Sequence, residues 1–183
     1  MRALSVFNHV TVDGYIADKS GDMGFARRPN DPEWQEFMDG NAGGAASFIF
    51  GRVSYDMMAS FWPTAMARES MPIVARSMNE SEKVVFSRTM KSAAWENARV
   101  AKGDIVEATK ALKREEGPDL IIFGSGSIVG QLAEAGLIDE FRLIVNPVAL
   151  GAGRPMFAAP LSLKRTGVRS FQNGNVLLTY VPA

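Results

Sequence analysis

The chain has 183 residues, enough for a single domain that buries a sizeable core without covalent staples. Hydrophobic residues make up 46% and charged residues 22%; twenty basic side chains balance twenty acidic ones, so no bulk field draws the protein to nucleic acid or to a membrane surface. There is no cysteine and only one histidine, His9, which excludes disulfides, thiolate metal sites and a cysteine nucleophile and leaves little for a histidine-based metal centre or triad.

The first run, MRALSVFNHV, alternates and lacks the long apolar segment of a signal peptide, and no window reaches the apolar length that spans a bilayer. The cytoplasm is the expected location. A strand is predicted from Ala3 to about His9, followed by an Asp13-Gly14 turn, an extended piece Tyr15–Ala17 and a polar loop. Asp31 followed by Pro32 has the order of a helix cap and first helical residue, with Gly40 as the stop. The apolar run ASFIF forms a short buried strand ending at Gly51. The next helix carries Tyr55, Met58 and Trp62 on one face and stops at Pro63.

KVVF is a further buried strand, ended by Ser87-Arg88-Thr89. Asp104 caps a helix to about Glu116 whose Ile105, Ala108 and Leu112 form an apolar stripe, and Gly117-Pro118 ends it. The strand Leu120–Phe123 stops at Gly124. Ile128, Val129, Leu132 and Ala133 then recur at helical spacing up to Gly136. Another strand reaches Val145 and a glycine-rich loop follows, after which two alternating runs meet at Asn173-Gly174, a hairpin signal. No repeat, low-complexity segment or linker divides residues 1–183. Strands alternating with helices and closing on a hairpin call for one α/β domain, its mostly parallel sheet covered on both faces with antiparallel strands at one edge.

In such sheets ligands bind at the carboxyl ends of the strands, and three of these ends carry suggestive loops. Gly124-Ser125-Gly126-Ser127 combines glycines that admit a close ligand, two hydroxyls and a following helix N-terminus, which suits a pyrophosphate. It is not a Walker loop, having no lysine, and it misses G-x-G-x-x-G by one residue because the third glycine is Gly130. Gly51-Arg52 with Ser54 places a positive charge at a second strand end. Ser87, Arg88 and Thr89 combine two hydroxyls and a guanidinium, which suits a phosphate monoester such as the 2′-phosphate of NADP. Singly, each also reads as a tight turn, a paired arginine or a solvated loop. Together they point to a dinucleotide with an extra phosphate.

The segments TVDGYIA, FGRVSYDMMASFW, KVVFSRT, IIFGSGSIVGQLAEAGLIDEFRLIVNPVALGAGRPMF and FQNGNVLLTYVP cover nearly all of the chain. In this order they resemble the dihydrofolate reductase-like superfamily, most closely the reductase domain of the bifunctional riboflavin-biosynthesis deaminase-reductase. The resemblance implies a dihydrofolate reductase-like three-layer sandwich with a mixed, mostly parallel eight-stranded sheet and a C-terminal antiparallel hairpin. It implies NADPH as cofactor, with Gly51, Arg52 and Ser54 at its phosphates and Ser87, Arg88 and Thr89 at the 2′-phosphate. Gly124, Ser125, Gly126 and Ser127 would cradle the pyrophosphate, and Val12, Asp13 and Ile16 would lie near the nicotinamide. No counterpart of the deaminase half or its zinc motif is present, so only reduction carries over. A homodimer through the sheet edge is a further expectation.

At the substrate end the resemblance calls for a carboxylate on the first helix, here Asp31 with Glu33 as second choice, and places Phe25 where a loop tryptophan is found in dihydrofolate reductases. Asp31 also reads as a plain helix cap. His9, at the end of the first strand, is the candidate proton donor at neutral pH and also reads as a structural histidine. The expected activity is hydride transfer from NADPH to a small pyrimidine- or pteridine-like heterocycle. Dihydrofolate reduction proper and a non-catalytic NADPH-binding module are the alternatives.

Overall fold

The computed structural model describes residues 1–27 and 31–183. Ten strands and six α-helices follow one another as β1 (Leu4–Thr11), β2 (Tyr15–Ala17), α1 (Pro32–Ala42), β3 (Ser47–Gly51), α2 (Arg52–Phe61), α3 (Ala65–Ser70), α4 (Pro72–Glu80), β4 (Lys83–Phe86), β5 (Ala98–Ala101), α5 (Ile105–Arg114), β6 (Leu120–Phe123), α6 (Gly126–Glu134), β7 (Glu140–Asn146), β8 (Arg154–Pro155), β9 (Leu163–Ser170) and β10 (Val176–Pro182). Among the described residues, no helix is long and apolar enough to cross a membrane.

Eight strands form one sheet in the order β5-β4-β3-β6-β1-β7-β10-β9. The first six run parallel, and β10 lies antiparallel between β7 and β9. The central strands are apolar on both sides because both faces are covered; all five residues of β3 are buried. On one face, Leu112 of α5 and Ile128, Val129 and Leu132 of α6 pack on Leu4, Val6, Ile49, Val84, Leu120 and Ile122. On the other, α2 and α4 bring Tyr55, Val74 and Met78 onto Phe48, Phe50 and Val85, while Trp34 and Phe37 of α1 cover Phe7, Ile144, Phe171 and Leu177. This is the three-layer mixed α/β architecture expected of a dihydrofolate reductase-like chain, with the hairpin extending the sheet.

Register then sets the site. Gly51 pairs with Phe86, and Ile49 with Ile122, so the ends of β3, β4 and β6 come level at one edge of the sheet. Three loops distant in sequence are thereby brought side by side.

Some elements lay beyond local pattern. β1 runs to Thr11 rather than His9 because its pairing with β7 continues to Thr11↔Asn146. β5 is a four-residue edge strand with no fully buried residue, so it carries little apolar signal. Tyr15–Ala17 pairs with Arg154–Pro155 as a separate two-stranded sheet, a partnership that only the fold creates.

Candidate functional site

A cleft of about 1190 Å³ opens at the carboxyl ends of β3, β4 and β6. It exceeds the roughly 300–1,000 Å³ that holds a drug-sized ligand. Gly51, Arg52, Ser54, Ser87, Arg88, Thr89, Gly124, Ser125, Gly126 and Ser127 all line it, so the three loops share one cavity. Ile16 and Ala17 of β2 and Arg154 and Pro155 of β8 form another wall, and the stretch from Ala101 to Ile105 after β5 adds a fourth loop.

The first two loops interlock. Gly124 and Ser125 are both left-handed, with φ of +67° and +48°, which turns the chain sharply from β6 into α6. A Cβ on Gly124 would collide with Ser54 Oγ, and one on Gly51 with Ser125 Oγ. The close approach lets the buried Ser54 hydroxyl accept a hydrogen bond from the Ser125 amide at 3.1 Å. Ser125 makes no side-chain cap to α6, so the amides of Gly126 and Ser127, both lining the cleft, receive no cap at the positive end of the helix dipole.

Asn8 fixes this loop from below. Its Oδ1 accepts from the Gly124 amide at 2.5 Å, and its Nδ2 meets Met156 Sδ at 3.2 Å. Sequence reading passed over Asn8, although an asparagine among the apolar positions of a central strand was a signal that a buried amide needed partners there.

Electrostatically the cleft differs from the rest of the molecule. Among the described residues, Arg52, Arg88, Lys91, Lys102 and Arg154 line it against one carboxylate, Asp104, whose Oδ1 is engaged in capping α5 through the amides of Val106 (2.9 Å) and Glu107 (3.0 Å). Arg52 donates to Thr89 Oγ1 at 2.7 Å and lies 3.4 Å from Asp56, joining the second loop to the third. Among the described residues, no ion pair holds Arg88, Lys91, Lys102 or Arg154. Ser87 Oγ accepts from the Met90 amide at 3.0 Å, so this hydroxyl shapes its own turn as well as lining the cavity. A neutral chain thus concentrates an excess of positive charge around open amides, which is the chemistry of a polyphosphate site.

Five expected site residues lie outside the cleft lining. Val12 is 62% exposed. Asp13 accepts from the amides of Leu150 at 3.0 Å and Gly151 at 2.7 Å and from Thr11 Oγ1 at 2.5 Å, fastening the β1–β2 turn to the loop after β7. The Thr11 hydroxyl holds its carboxyl below the ordinary aspartate value. Phe25 stands on a 3-10 turn, Gly24–Ala26, half-buried. Asp31 caps α1: one oxygen accepts from Glu33 N at 3.0 Å and the other from Asn173 N at 3.0 Å, tying α1 to the hairpin turn. Glu33, the second choice, sits 3.5 Å from Arg169.

His9 corrects the expectation of a ready proton donor. It points to the face opposite Asn8, edge-on to Trp34 at 5.8 Å and Phe7 at 6.4 Å, with Nδ1 3.3 Å from Asn146 Nδ2. Desolvation pushes its pKa down to about 4, against the partial opposition of the Asn146 bond, so the ring is uncharged near neutrality.

The family model of the RibD C-terminal domain matches residues 2–177. The uncharacterized protein YyaP of Bacillus subtilis (strain 168) is 29% identical over 175 residues, spanning 93% of this chain and 90% of that one. Among solved structures, a protein ascribed to riboflavin biosynthesis from Shewanella sp. PV-4 superposes with a TM-score of 0.73 at 24% identity over 99% of both chains. Dihydrofolate reductase from Enterococcus faecalis, complexed with NADP(H), superposes at 0.61 with 12% identity, over 98% of this chain and 96% of its own. With its dihydrofolate reductase-like, reductase-type fold, the chain belongs to the RibD C-terminal domain family.

Proposed function

We propose that the protein is an NADPH-dependent reductase whose substrate is a small pyrimidine- or pteridine-like heterocycle. One observation carries the reading: unpaired cations and open helix amides converge in a cleft large enough for a dinucleotide, inside an otherwise charge-balanced chain. The Enterococcus dihydrofolate reductase of similar fold holds NADP(H), which supports the choice of cofactor.

The residues present fit that group. The first-turn amides of α6, at Gly126 and Ser127, suit the pyrophosphate, while Asn8 and Ser54 hold the loop that presents them. Arg88, with Thr89 and Arg52 beside it, suits the 2′-phosphate. When bound, NADPH supplies the hydride. The chain's own part is to bind, orient and keep water from the reacting atoms. A second reading, an NADPH-binding module without turnover, is favoured by the fact that Asp31 and His9 are both engaged structurally.

Titration of the purified protein with NADPH, followed by fluorescence, is expected to saturate at micromolar concentration; no saturable binding ends the proposal. Binding without oxidation of NADPH in the presence of pyrimidines or pteridines selects the non-catalytic module. Turnover of dihydrofolate blocked by methotrexate selects dihydrofolate reduction proper.

A further inference from the structure

The face of the sheet under α1 holds a polar row at its carboxyl end. Thr11 pairs with Asn146, and one step beyond the pair Val176↔Val145 the ladder brings Asn175 opposite Asn146. Leu177, two residues on, packs with Phe7 and Ile144, so the row lies on the α1 side. Thr11 is engaged with Asp13 and the Tyr15 amide, and Asn146 Nδ2 donates to the carbonyls of Val10 at 3.1 Å and Ile144 at 3.0 Å. Asn175 is the exception: it is 0% exposed, yet among the described residues neither its Nδ2 nor its Oδ1 has a hydrogen-bond partner.

A buried amide left unpaired at both ends is costly, and native proteins seldom keep one without a reason. Its main chain shows why the residue is held there: Asn175 O accepts from Phe171 N at 2.9 Å, and Asn175 N donates to Asn173 Oδ1 at 3.0 Å, closing the hairpin turn. Asp31 ties that turn to α1, and Trp34 stacks edge-on to Phe171 at 4.9 Å. The turn 171–175 that carries this buried amide is therefore fastened to the start of α1.

We propose that Asn175 is a substrate-recognition residue that reads the lactam edge of the heterocycle, its amide exchanging two hydrogen bonds with a ring N–H and the adjacent C=O. This rests on the reductase reading. On β1, Asn8 faces the cofactor cleft while His9 and Thr11 face this row, so a ring seated past the end of β1 has the cleft on one side and Asn175 on the other. Because Asn175 is buried, admission requires the turn to part from α1 at the Asp31–Asn173 contact.

Calorimetric titration of the protein saturated with NADP⁺, using uracil, pterin and 1,3-dimethyluracil, tests the assignment. Wild type is expected to bind uracil or pterin and to bind 1,3-dimethyluracil, which lacks the N–H donors, at least tenfold more weakly. Asn175→Leu, of the same branching and without polar atoms, is expected to bind NADPH within twofold of wild type, to lose at least tenfold in heterocycle affinity, and to melt no lower than wild type. Asn175→Ala, read in the same way, serves if the leucine variant fails to fold. A wild-type protein that does not bind NADPH overturns the cofactor reading. One that binds NADPH but neither uracil nor pterin, or whose Asn175 variants bind them as wild type does, overturns the Asn175 assignment alone.

Discussion

The two edges of the sheet treat positive charge in opposite ways. At the amino edge, Arg2 is 5% exposed, donates to Ser47 Oγ and Pro118 O at 2.5 Å each, and lies near Glu82 and Glu115. Lys113 meets Leu137 O at 2.8 Å and Asp139 at 2.6 Å, and Lys83 donates to the carbonyls of Asn79, Ser81 and Glu96. Burial lowers the Lys83 ammonium to about 8, and three acceptors keep so desolvated a cation tolerable. At the carboxyl edge, by contrast, Arg88, Lys91, Lys102 and Arg154 face a cleft without ion-pair partners among the described residues. Cations with partners inside the chain hold the fold. Cations gathered without them leave that edge with uncompensated positive charge.

Arg2→Met breaks the comparison from the structural side. It removes the donor to Ser47 Oγ and leaves the Pro118 carbonyl unanswered, so a loss of about 3 kcal/mol in unfolding free energy is expected by urea denaturation, with NADPH affinity of the folded protein unchanged. A drop in affinity without a drop in stability would reverse the roles given to the two edges. Arg88→Ala works from the other side: it is expected to weaken NADPH about fiftyfold, equivalent to about 2.3 kcal/mol, while NADH and the melting temperature barely move. Equal losses for the two nucleotides would remove Arg88 from the 2′-phosphate.

The smallest effect concerns a third behaviour, a group kept from becoming a cation. His9 titrates near 4 in the folded protein and near 6.5 when free, so between those values the unfolded chain binds the extra proton. Stability is full above the unfolded value and falls as pH drops toward the folded one. Between pH 7 and pH 5 the loss is about 2 kcal/mol in the paired urea curves, and His9→Gln should flatten that share. A wild-type curve without this slope would mean that the ring is solvated.

Much of the site was legible because it is written locally. Gly124-Ser125-Gly126-Ser127, Gly51-Arg52 and Ser87-Arg88-Thr89 each stand directly after an apolar strand, where turn chemistry and binding chemistry coincide. All of them line one cleft. Asn8 was missed because its partner Gly124 is 116 residues away, and the loop after β5 because its strand has almost no apolar signature. Val12 and Asp13 were placed near a nicotinamide by resemblance, and Phe25, Asp31 and His9 at a substrate end. In the structure Asp13 and Asp31 answer backbone amides instead, and burial beside Trp34 silences His9 as a cation.

Sequence alone determined the alternation of the main strands and helices, though not α3, α4, β5 or β8, together with the hairpin at Asn173-Gly174 and which loops carry the glycines, hydroxyls and guanidinium groups that line the cleft, since these depend on composition and period over a few residues. Tertiary structure decided which charges are answered and which are not. That outcome depends on register, on Gly51 and Gly124 meeting level, on Arg2 reaching Ser47 and on Asn175 closing over a ladder end without a partner. Hydrogen-bond satisfaction is a property of pairs across the fold, and no stretch of chain contains it by itself.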